Sequence, residues 1–200
     1  LKALEIPTDP RTGVSVEALD LATRDGRVAA CLLVPNASNP LGSVMPDEKK
    51  RLLAALTAAR GVAVIEDDIY GDLHFGSQRP WPIKAFDTAG NVLLCSSFSK
   101  SLSPSLRIGF VAAGRYRPAL ALQKTITSGG TNPVTQHVLA EYLESGAYER
   151  HLRSLRRAYE RQVEGMREAA TRHFPADTCI TQPQGGYVLW VELPEGIDTT

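Results

Sequence analysis

The sequence has few cysteines, no net charge and no long apolar run, and each of these shortages argues against a class of protein. Its 200 residues include three cysteines, Cys31, Cys95 and Cys179, which are odd in number and far apart. Such spacing argues against a disulfide framework or a zinc site and predicts buried free thiols. A formal net charge of zero gives no support for binding of nucleic acid or an anionic membrane by this stretch. Because neither a signal peptide nor a run of membrane-spanning length is found, we expect a cytoplasmic protein outside the membrane.

What the sequence does have is a hydrophobic content of 43%, divided into short apolar runs that alternate with helical patterns. Strands are predicted at 1–6, 31–34, 62–65, 91–95, 106–113 and 187–193. Helices are predicted at 16–24, 45–60, 119–127, 133–144 and 148–173. The helix at 45–60 is expected to bury Leu52, Leu53, Leu56 and Ala59, and the last helix to bury Leu152, Leu155, Tyr159, Val163 and Met166. This order predicts an α/β fold with a doubly wound, mostly parallel sheet.

A lysine with neighbouring hydroxyls lies just past the strand at 91–95. Ser97, Ser99 and Lys100 follow this strand, and Arg107 comes seven residues later. Open α/β sheets place ligands at the carboxyl ends of their strands. An amine there can form a Schiff base with an aldehyde while hydroxyls and a guanidinium hold a phosphate, and pyridoxal phosphate (PLP) carries both groups. The lysine must be partly deprotonated to react, and we expect desolvation beside Arg107 to favour the neutral amine. The alternative is a surface lysine in a serine-rich loop.

Two other strand ends carry groups that PLP needs. Asn39 follows the strand at 31–34, and Asp67, with Tyr70 three residues on, follows the strand at 62–65. A carboxylate beside the pyridine nitrogen favours its protonated, electron-withdrawing state, and Asp67 is the candidate for this role. The side chains of Asn39 and Tyr70 can donate to the phenolate oxygen of PLP. Three strand ends therefore predict one cofactor site.

Together these motifs resemble the signature set of the fold-type I, class I/II aminotransferases. The matching segments are Asn39-Pro40-Leu41-Gly42, Asp67-Asp68-Ile69-Tyr70 and Ser97-Phe98-Ser99-Lys100 with Arg107, in the order of the family. The resemblance implies that PLP is the cofactor and that Lys100 also moves protons at the alpha carbon of the substrate. The other implied contacts of PLP are Asp67 at the ring nitrogen, Asn39 and Tyr70 at the phenolate oxygen, and Ser97, Ser99 and Arg107 at the phosphate.

The same resemblance predicts the domain organisation and the assembly. Residues 1–150 correspond to the central part of the large PLP-binding domain, and residues 151–200 to the long linking helix and the beginning of the small α/β domain. In the family, a ring-stacking aromatic residue lies upstream of this region and the arginine for the substrate carboxylate lies downstream, so we expect the middle of a longer protein. Because the family builds its sites at a dimer interface, we expect a homodimer. The loop at 128–132 is the candidate interface segment, and an ordinary connector is its alternative.

Three longer segments carry a finer resemblance. Residues 35–43, 65–73 and 182–190 look like the aminotransferase-like domain of MocR-type regulators, which are bacterial GntR-family transcription factors. In those proteins a winged helix-turn-helix precedes a domain that senses PLP or its amino-acid adduct, so DNA would be bound only through an upstream domain. The alternative is a free-standing aminotransferase that acts on an amino acid and a 2-oxo acid.

Charged residues allow three further interpretations. Glu66, Asp67 and Asp68 are the right residue types for magnesium, but adjacent side chains of an extended segment alternate sides and seldom converge on one ion. Asp67 and Asp68 with Lys100 would also suit a receiver-like phosphoacceptor sheet. That interpretation leaves Asn39, Tyr70 and Arg107 without a role. The arginines of the helix at 148–173 are interleaved with glutamates, which favours a solvated face over a nucleic-acid patch.

Overall fold

The computed structural model describes residues 2–197 and is built around a four-stranded sheet. The strands are β1 (Thr8–Asp9), β2 (Gly13–Val14), β3 (Ala30–Leu33), β4 (Ala63–Asp67), β5 (Val92–Ser97), β6 (Gly109–Ala112), β7 (Cys179–Ile180) and β8 (Val191–Glu192). The α-helices are α1 (Val16–Thr23), α2 (Asp47–Arg60), α3 (Arg117–Thr127), α4 (Pro133–Glu144) and α5 (Ala147–His173). β1 with β2 and β7 with β8 form separate antiparallel pairs.

The four-stranded sheet has the order β3–β4–β5–β6. β3, β4 and β5 run parallel, so their carboxyl ends meet at one edge. β6 runs antiparallel to β5. Residues 98–108 between them form no α-helix, and the connection is too short for the crossover that a parallel neighbour requires, so the chain reverses there. The predicted strands at 31–34, 62–65, 91–95 and 106–113 are confirmed with shifted ends, and so is the α/β class.

Of the two predicted strands near the ends of the chain, one is wrong and the other is confirmed over two residues only. Residues 2–6 form no strand, and Leu4 is exposed, while Leu1 lies outside the described residues. Of the segment 187–193, only β8 is a strand, because its partner β7 is two residues long. Within residues 2–197 neither segment has a neighbouring strand along its whole length. Without a neighbouring strand, the backbone N–H and C=O groups of a predicted strand have no partners for the hydrogen bonds that would hold it in a sheet.

The helix α2 buries only part of the predicted stripe: Leu53 is buried and Leu56 is half-buried, but Leu52 and Ala59 are exposed. Its buried residues are Lys50, Leu53, Ala54 and Thr57, which share one helical face. Leu52 of the predicted stripe is instead 60% exposed. Polar side chains occupy the core face because each has a partner there. Lys50 Nζ donates to Asn36 Oδ1 at 2.9 Å, and Thr57 Oγ1 donates to the Leu53 carbonyl oxygen at 2.9 Å.

The buried residues form two clusters. The first joins α1 and α2 to the sheet through side chains such as Leu19, Leu53 and Val64. The second lies beyond the carboxyl ends of the strands and contains Ala37, Tyr70, Leu73, Tyr148 and Leu152. The start of α5 therefore packs against the segment that follows β4, next to the turns that carry the predicted site.

The long helix α5 confirms the predicted helix, beginning one residue earlier at Ala147. Leu152 and Val163 of the predicted stripe are buried, but Met166 is 61% exposed. Five arginines of this helix are exposed, in agreement with a solvated face: Arg150, Arg153, Arg157, Arg161 and Arg172. Among residues 2–197, no helix combines the length and the apolar character that crossing a membrane requires.

The three cysteines are free thiols with different exposures. Cys31 is buried, Cys95 is half-buried and Cys179 is exposed. The prediction of buried thiols is therefore wrong for Cys179, because the short strand β7 leaves it at the surface.

Candidate functional site

Asp67 and Ser97 lie on the same face of the sheet at its carboxyl edge. Asp67 ends β4 and pairs with Cys95 of β5, and Ser97 lies two residues farther along β5. Because side chains alternate along a strand, paired residues and residues two apart share a face. Ser97 pairs in turn with Gly109 of β6. A Cβ atom at Gly109 would lie 2.6 Å from the Ser96 carbonyl oxygen, so glycine is needed for this close contact.

Glu66 points away from this face and is fully buried. Its carboxylate accepts hydrogen bonds from the backbone N–H of Ile83 at 2.6 Å and of Lys84 at 2.8 Å. Burial raises the pKa of Glu66 to about 7, against the lowering effect of those two hydrogen bonds. Glu66 therefore anchors the segment at Ile83 and Lys84 and is unavailable to a ligand.

The neighbouring acids Asp67 and Asp68 also differ in their surroundings. Asp68 is 1% exposed, and its carboxylate accepts from Asn36 Nδ2 at 2.9 Å and from Arg79 Nη2 at 2.5 Å. Asp67 is half-buried, and its side chain accepts one hydrogen bond within residues 2–197, from the Ile69 N–H at 3.3 Å. The carboxylate of Asp67 is thus the one with room for another partner. Among the described residues, no group of three His, Cys, Asp or Glu side chains is suited to a metal ion.

Lys100 lies in the turn after β5, with tyrosines as its neighbours. Interaction with the Tyr187 hydroxyl is the largest influence on its amine, and it raises the pKa of Lys100 above the ordinary value, with smaller contributions from Tyr70 and Tyr159. Desolvation acts in the opposite direction but is a minor influence, because the side chain is only half-buried. The expectation that desolvation beside Arg107 favours the neutral amine is therefore wrong. The structure stabilises the ammonium form.

The three tyrosines form a ring cluster centred on Tyr187. The Tyr187 ring meets the Tyr70 ring edge-on, with centroids 5.6 Å apart and an interplanar angle of 79°. It also packs against Tyr159 of α5, with centroids 5.1 Å apart. Tyr70 itself is 5% exposed, so its ring is held in the core. Sequence reasoning assigned Tyr70 to the site but did not identify Tyr159 or Tyr187 as neighbours of Lys100.

Tyr187 is brought to the site by the two glycines that precede it. The Gly186 N–H donates to the Leu73 carbonyl oxygen at 2.9 Å, and Gly185 forms an antiparallel bridge with His74. Gly186 has φ +73°, and a Cβ atom there would contact the Ala37 side chain at 3.4 Å. This left-handed backbone conformation favours glycine. The signal in the sequence is an aromatic residue directly after a glycine pair.

Arg107 lies close to Ser97 through the pairing of the backbone. The Phe98 N–H donates to the Ile108 carbonyl oxygen at 3.2 Å, which places the residues before Gly109 beside the lysine turn. Arg107 has φ 52° and is exposed, and its guanidinium makes no ion pair within residues 2–197. Ser97 Oγ accepts from the Ser99 N–H at 3.4 Å. The backbone therefore brings Ser97, Ser99 and Arg107 to neighbouring positions at the end of β5.

Asn39 is the predicted residue that the structure places least firmly. It is exposed, and its side-chain amide makes no hydrogen bond to another residue in the described range 2–197. Its loop is nevertheless tied to the rest of the site by Asn36, whose Nδ2 donates to Asp68. Asn36 in turn accepts from the buried Lys50, whose pKa is lowered by burial. Sequence reasoning missed Asn36 and Lys50, because a polar residue in a loop and a lysine in a helix ordinarily face solvent.

A cleft of about 1230 Å³ lies elsewhere, between residues 41–44, α5 and residues 179–184. None of the predicted site residues lines it. The candidate site is therefore the open edge of the sheet, beyond β4 and β5.

Comparisons with known proteins bear on the family and the fold of the chain. A family model described as aminotransferase class I and II matches residues 3–197. The HTH-type transcriptional regulator YjiR of Escherichia coli (strain K12) is 46% identical over 198 residues, which cover 99% of this chain and 42% of that protein. Aromatic-amino-acid aminotransferase 1 of Thermococcus litoralis is 31% identical over 202 residues, which cover 98% of this chain and 48% of that protein. The chain thus spans less than half the length of these two relatives.

A solved structure shows the same fold. The crystal structure of Pyrococcus horikoshii kynurenine aminotransferase in complex with PMP matches 98% of this chain and 50% of its own, with a TM-score of 0.91 and 32% identity. The resemblance inferred from the motifs is confirmed, and the fold is that of the fold-type I aminotransferases. These matches give no support to the receiver-like phosphoacceptor interpretation. The chain therefore belongs to the class I and II aminotransferase family.

Proposed function

We propose that this chain is the PLP-binding, aminotransferase-like domain of a MocR-type GntR-family transcriptional regulator, in which it senses PLP or an amino-acid adduct of it. The observation that carries the proposal is the position of Lys100 in the turn after β5, because β5 pairs with β4 and β4 ends at Asp67, whose carboxylate has room for another partner. The 46% identity to an HTH-type regulator over 99% of the chain supports the regulatory role.

The residues at this edge fit PLP by their chemistry. When bound, PLP supplies an aldehyde for an amine and a protonated pyridine ring that withdraws electrons. Asp67 has acceptor capacity left for the ring N–H, and Arg107 has no ion pair among residues 2–197 to compete with a phosphate. Ser97 and Ser99 add hydroxyls for the phosphate, and Arg107 can bind it in a bidentate way.

The tyrosines would control the proton on Lys100. The Tyr187 hydroxyl and Tyr70 stabilise the ammonium form, so Lys100 must lose its proton before its Nζ can attack an aldehyde. Tyr70 is proposed to donate to the phenolate oxygen together with Asn39. Lys100 would afterwards accept and return the proton of the alpha carbon of an amino acid.

A free-standing aminotransferase is the second candidate. The close fold match to an enzyme crystallised with PMP supports it, and so does the 31% identity to the Thermococcus litoralis aminotransferase. Both candidates use the same cofactor residues. They differ in whether binding at Lys100 changes DNA binding by an upstream domain or leads to turnover of an amino acid with a 2-oxo acid.

We further propose that the full-length protein is a cytoplasmic homodimer and that the large domain gives way to the small one within α5. Several apolar side chains on α3 and α4 are exposed and available for a second copy: Leu120, Leu122, Ile126, Val134, Val138 and Leu143. The loop at 128–132 joins these two helices and is proposed to approach the cofactor of the partner.

The cofactor assignment is tested by Lys100→Ala in the full-length protein, with Lys2→Ala as the matched control. Lys2 is exposed and precedes β1, on a segment that carries none of the candidate site residues. We expect PLP to give a visible absorption band, and borohydride to fix it covalently, in the unaltered protein and in Lys2→Ala only. A band and a covalent adduct that persist in Lys100→Ala would refute the assignment.

Measurements on the full-length protein distinguish the two candidate functions. A PLP-dependent or amino-acid-dependent change in affinity for DNA of its own promoter, without turnover, supports the regulator. Repeated transfer of an amino group to a 2-oxo acid without an effect on DNA binding supports the free-standing enzyme.

A further inference from the structure

Ser101, the residue after the candidate lysine, is held in place by side chains of α5. Ser101 is 2% exposed, and its Oγ lies 2.7 Å from the hydroxyl of Tyr148. The Ser101 carbonyl oxygen also lies 2.9 Å from His151 Nε2, one helical turn farther along α5. Both polar groups of this buried residue are therefore satisfied by side chains of one helix, and the position of the Lys100 turn depends on that helix.

The ring of Tyr148 has little freedom to move. Tyr148 is 6% exposed, and the Phe98 ring of the lysine motif meets it edge-on, with centroids 5.7 Å apart. The Tyr142 ring of α4 packs on it as well, with centroids 6.5 Å apart. Burial raises the pKa of Tyr148 to about 12, so its hydroxyl keeps its proton at neutral pH. A fixed, protonated hydroxyl is suited to hold a neighbouring group in place.

The same hydroxyl reaches the segment that follows β4. It lies 3.2 Å from Asp72 Oδ2. Because a carboxylate only accepts and a phenol has one proton, both contacts are satisfied when Tyr148 donates to Asp72 and Ser101 Oγ donates to Tyr148. The other carboxylate oxygen of Asp72 accepts from Arg79 Nε at 2.7 Å, and Arg79 Nη2 donates to Asp68 at 2.5 Å. One chain of hydrogen bonds thus runs from Ser101 to Asp68.

We propose that Tyr148 is a positioning residue which, through Ser101 and Asp72, holds Lys100 in register with the segment that carries Asp67 and Tyr70. The chain of contacts begins directly after Lys100 and ends directly after Asp67, so it links the two groups that the proposed function requires at opposite ends of PLP. The inference rests on the proposed function, and it adds that a helix of the linking region sets the geometry of the site. Tyr148 touches neither Lys100 nor Asp67 through its hydroxyl and acts on both through their neighbours.

The test compares Tyr148→Phe with Tyr142→Phe in the full-length protein. Both changes remove one phenolic hydroxyl from the same ring cluster, but within residues 2–197 the Tyr142 hydroxyl makes no hydrogen bond. Tyr148→Phe is expected to weaken PLP binding about threefold to tenfold, the range for one net hydrogen bond. It should also shift the pH midpoint for acylation of Lys100 in the cofactor-free protein toward that of an ordinary lysine, because the amine leaves its place beside Tyr187. Tyr142→Phe should change neither quantity.

Ser101 provides a second, independent arm. Ser101→Ala should reproduce both effects, whereas Ser101→Thr, which keeps a hydroxyl, should show the PLP affinity and the Lys100 midpoint of the unaltered protein. Ser101→Ala combined with Tyr148→Phe should be no worse than the stronger single variant, because both changes remove the same contact. If Tyr148→Phe does not fold, the Ser101 pair alone decides. Unchanged PLP binding and an unchanged Lys100 midpoint in Tyr148→Phe, or additive losses in the double variant, overturn the inference while the proposed function stands. Absence of a Lys100-dependent PLP band in the unaltered protein overturns both.

Discussion

Asn36 and Asp68 are joined by a hydrogen bond of 2.9 Å from Nδ2 to Oδ1, and neither residue is more than 1% exposed. This bond ties the loop that carries Asn39 to the turn that carries Asp67 and Tyr70. Asn36 also accepts from the buried Lys50 at 2.9 Å. A single amide therefore connects a buried cation with a buried anion that adjoins Asp67 in the chain.

Asn36→Ala is expected to destabilise the fold, whereas Asn39→Ala is not. The first change removes two hydrogen bonds to charged groups, at roughly 1.5–3 kcal/mol each, so a loss of about 3 kcal/mol or more in the free energy of unfolding is expected. The second removes an exposed amide and should leave stability within about 0.5 kcal/mol, while it weakens PLP binding. Urea unfolding and PLP titration of the two variants measure this contrast. Equal effects of the two changes on stability would contradict it.

Asp67→Asn is expected to leave the fold and PLP binding largely in place but to slow any half-reaction with an amino acid. The loss of one charge-assisted hydrogen bond to the ring nitrogen corresponds to roughly 1.5–3 kcal/mol. Asp68→Asn should instead lower stability, because Asp68 is buried and bound to Arg79 and Asn36. Stopped-flow absorbance and thermal unfolding distinguish the two. A strong chemical defect with unchanged stability in Asp68→Asn would show that Asp68 is the partner of the ring.

Stability should fall as pH rises from about 4.5 to 7, in part because of Glu66. Its pKa is raised from an ordinary 4.5 to about 7 in the folded state, so between these values the folded protein binds a proton that the unfolded chain has released. Stability from this group is full below pH 4.5 and is lost as pH passes through 7, by up to about 3 kcal/mol.

The contribution of Glu66 is isolated by Glu66→Gln, with Glu48→Gln on the exposed start of α2 as control. Urea unfolding at several pH values should show a flatter profile for Glu66→Gln than for the control. Its stability at low pH should also drop, because the two backbone N–H groups bind different oxygens of Glu66, and glutamine replaces one of these oxygens with an NH2 group that cannot accept. A profile with the slope of the unaltered protein would show that Glu66 does not titrate in this range.

Tyr187→Phe should lower the pKa of Lys100. Polar interaction with the Tyr187 hydroxyl is the largest cause of the raised pKa, and phenylalanine keeps the ring contacts with Tyr70 and Tyr159 while it removes that interaction. At a fixed pH near 8, more of the amine is then neutral, and acylation of Lys100 in cofactor-free protein should be faster. The rate is followed by peptide mass spectrometry, with Tyr142→Phe as control. An unchanged rate profile would remove Tyr187 from the site.

The loop at 128–132 should contribute to a dimer. The full-length protein is expected to be a homodimer by light scattering at micromolar concentration, and Thr131→Glu should weaken both dimerisation and PLP affinity. Thr171→Glu, an exposed position on α5, adds the same charge away from the loop and serves as control. If dimerisation and PLP affinity both survive Thr131→Glu, the loop is only a connector, and a monomeric unaltered protein would contradict the dimer itself.

Much of the fold could be predicted because its signals are local. The apolar runs at 31–34, 62–65 and 91–95 are short and bounded by turn residues, and the structure contains strands at all three. The helix Pro133–Glu144 has its predicted bounds, since Asn132 caps it through the Val134 N–H and proline occupies its first turn. The order of the motifs along these strand ends was enough to identify the family.

Only the tertiary structure decided which residues surround the predicted motifs. The sequence by itself determined the four strands of the central sheet, most helices and the choice of the candidate residues Lys100, Asp67 and Arg107, because those follow from neighbours a few positions away. Burial of Lys50 and the approach of Tyr187 to Lys100 depend instead on partners far along the chain, as do the contacts of Tyr148 with Ser101. A polar residue has no local signal that tells whether such a partner will meet it, so its burial is settled only when the distant segments pack together.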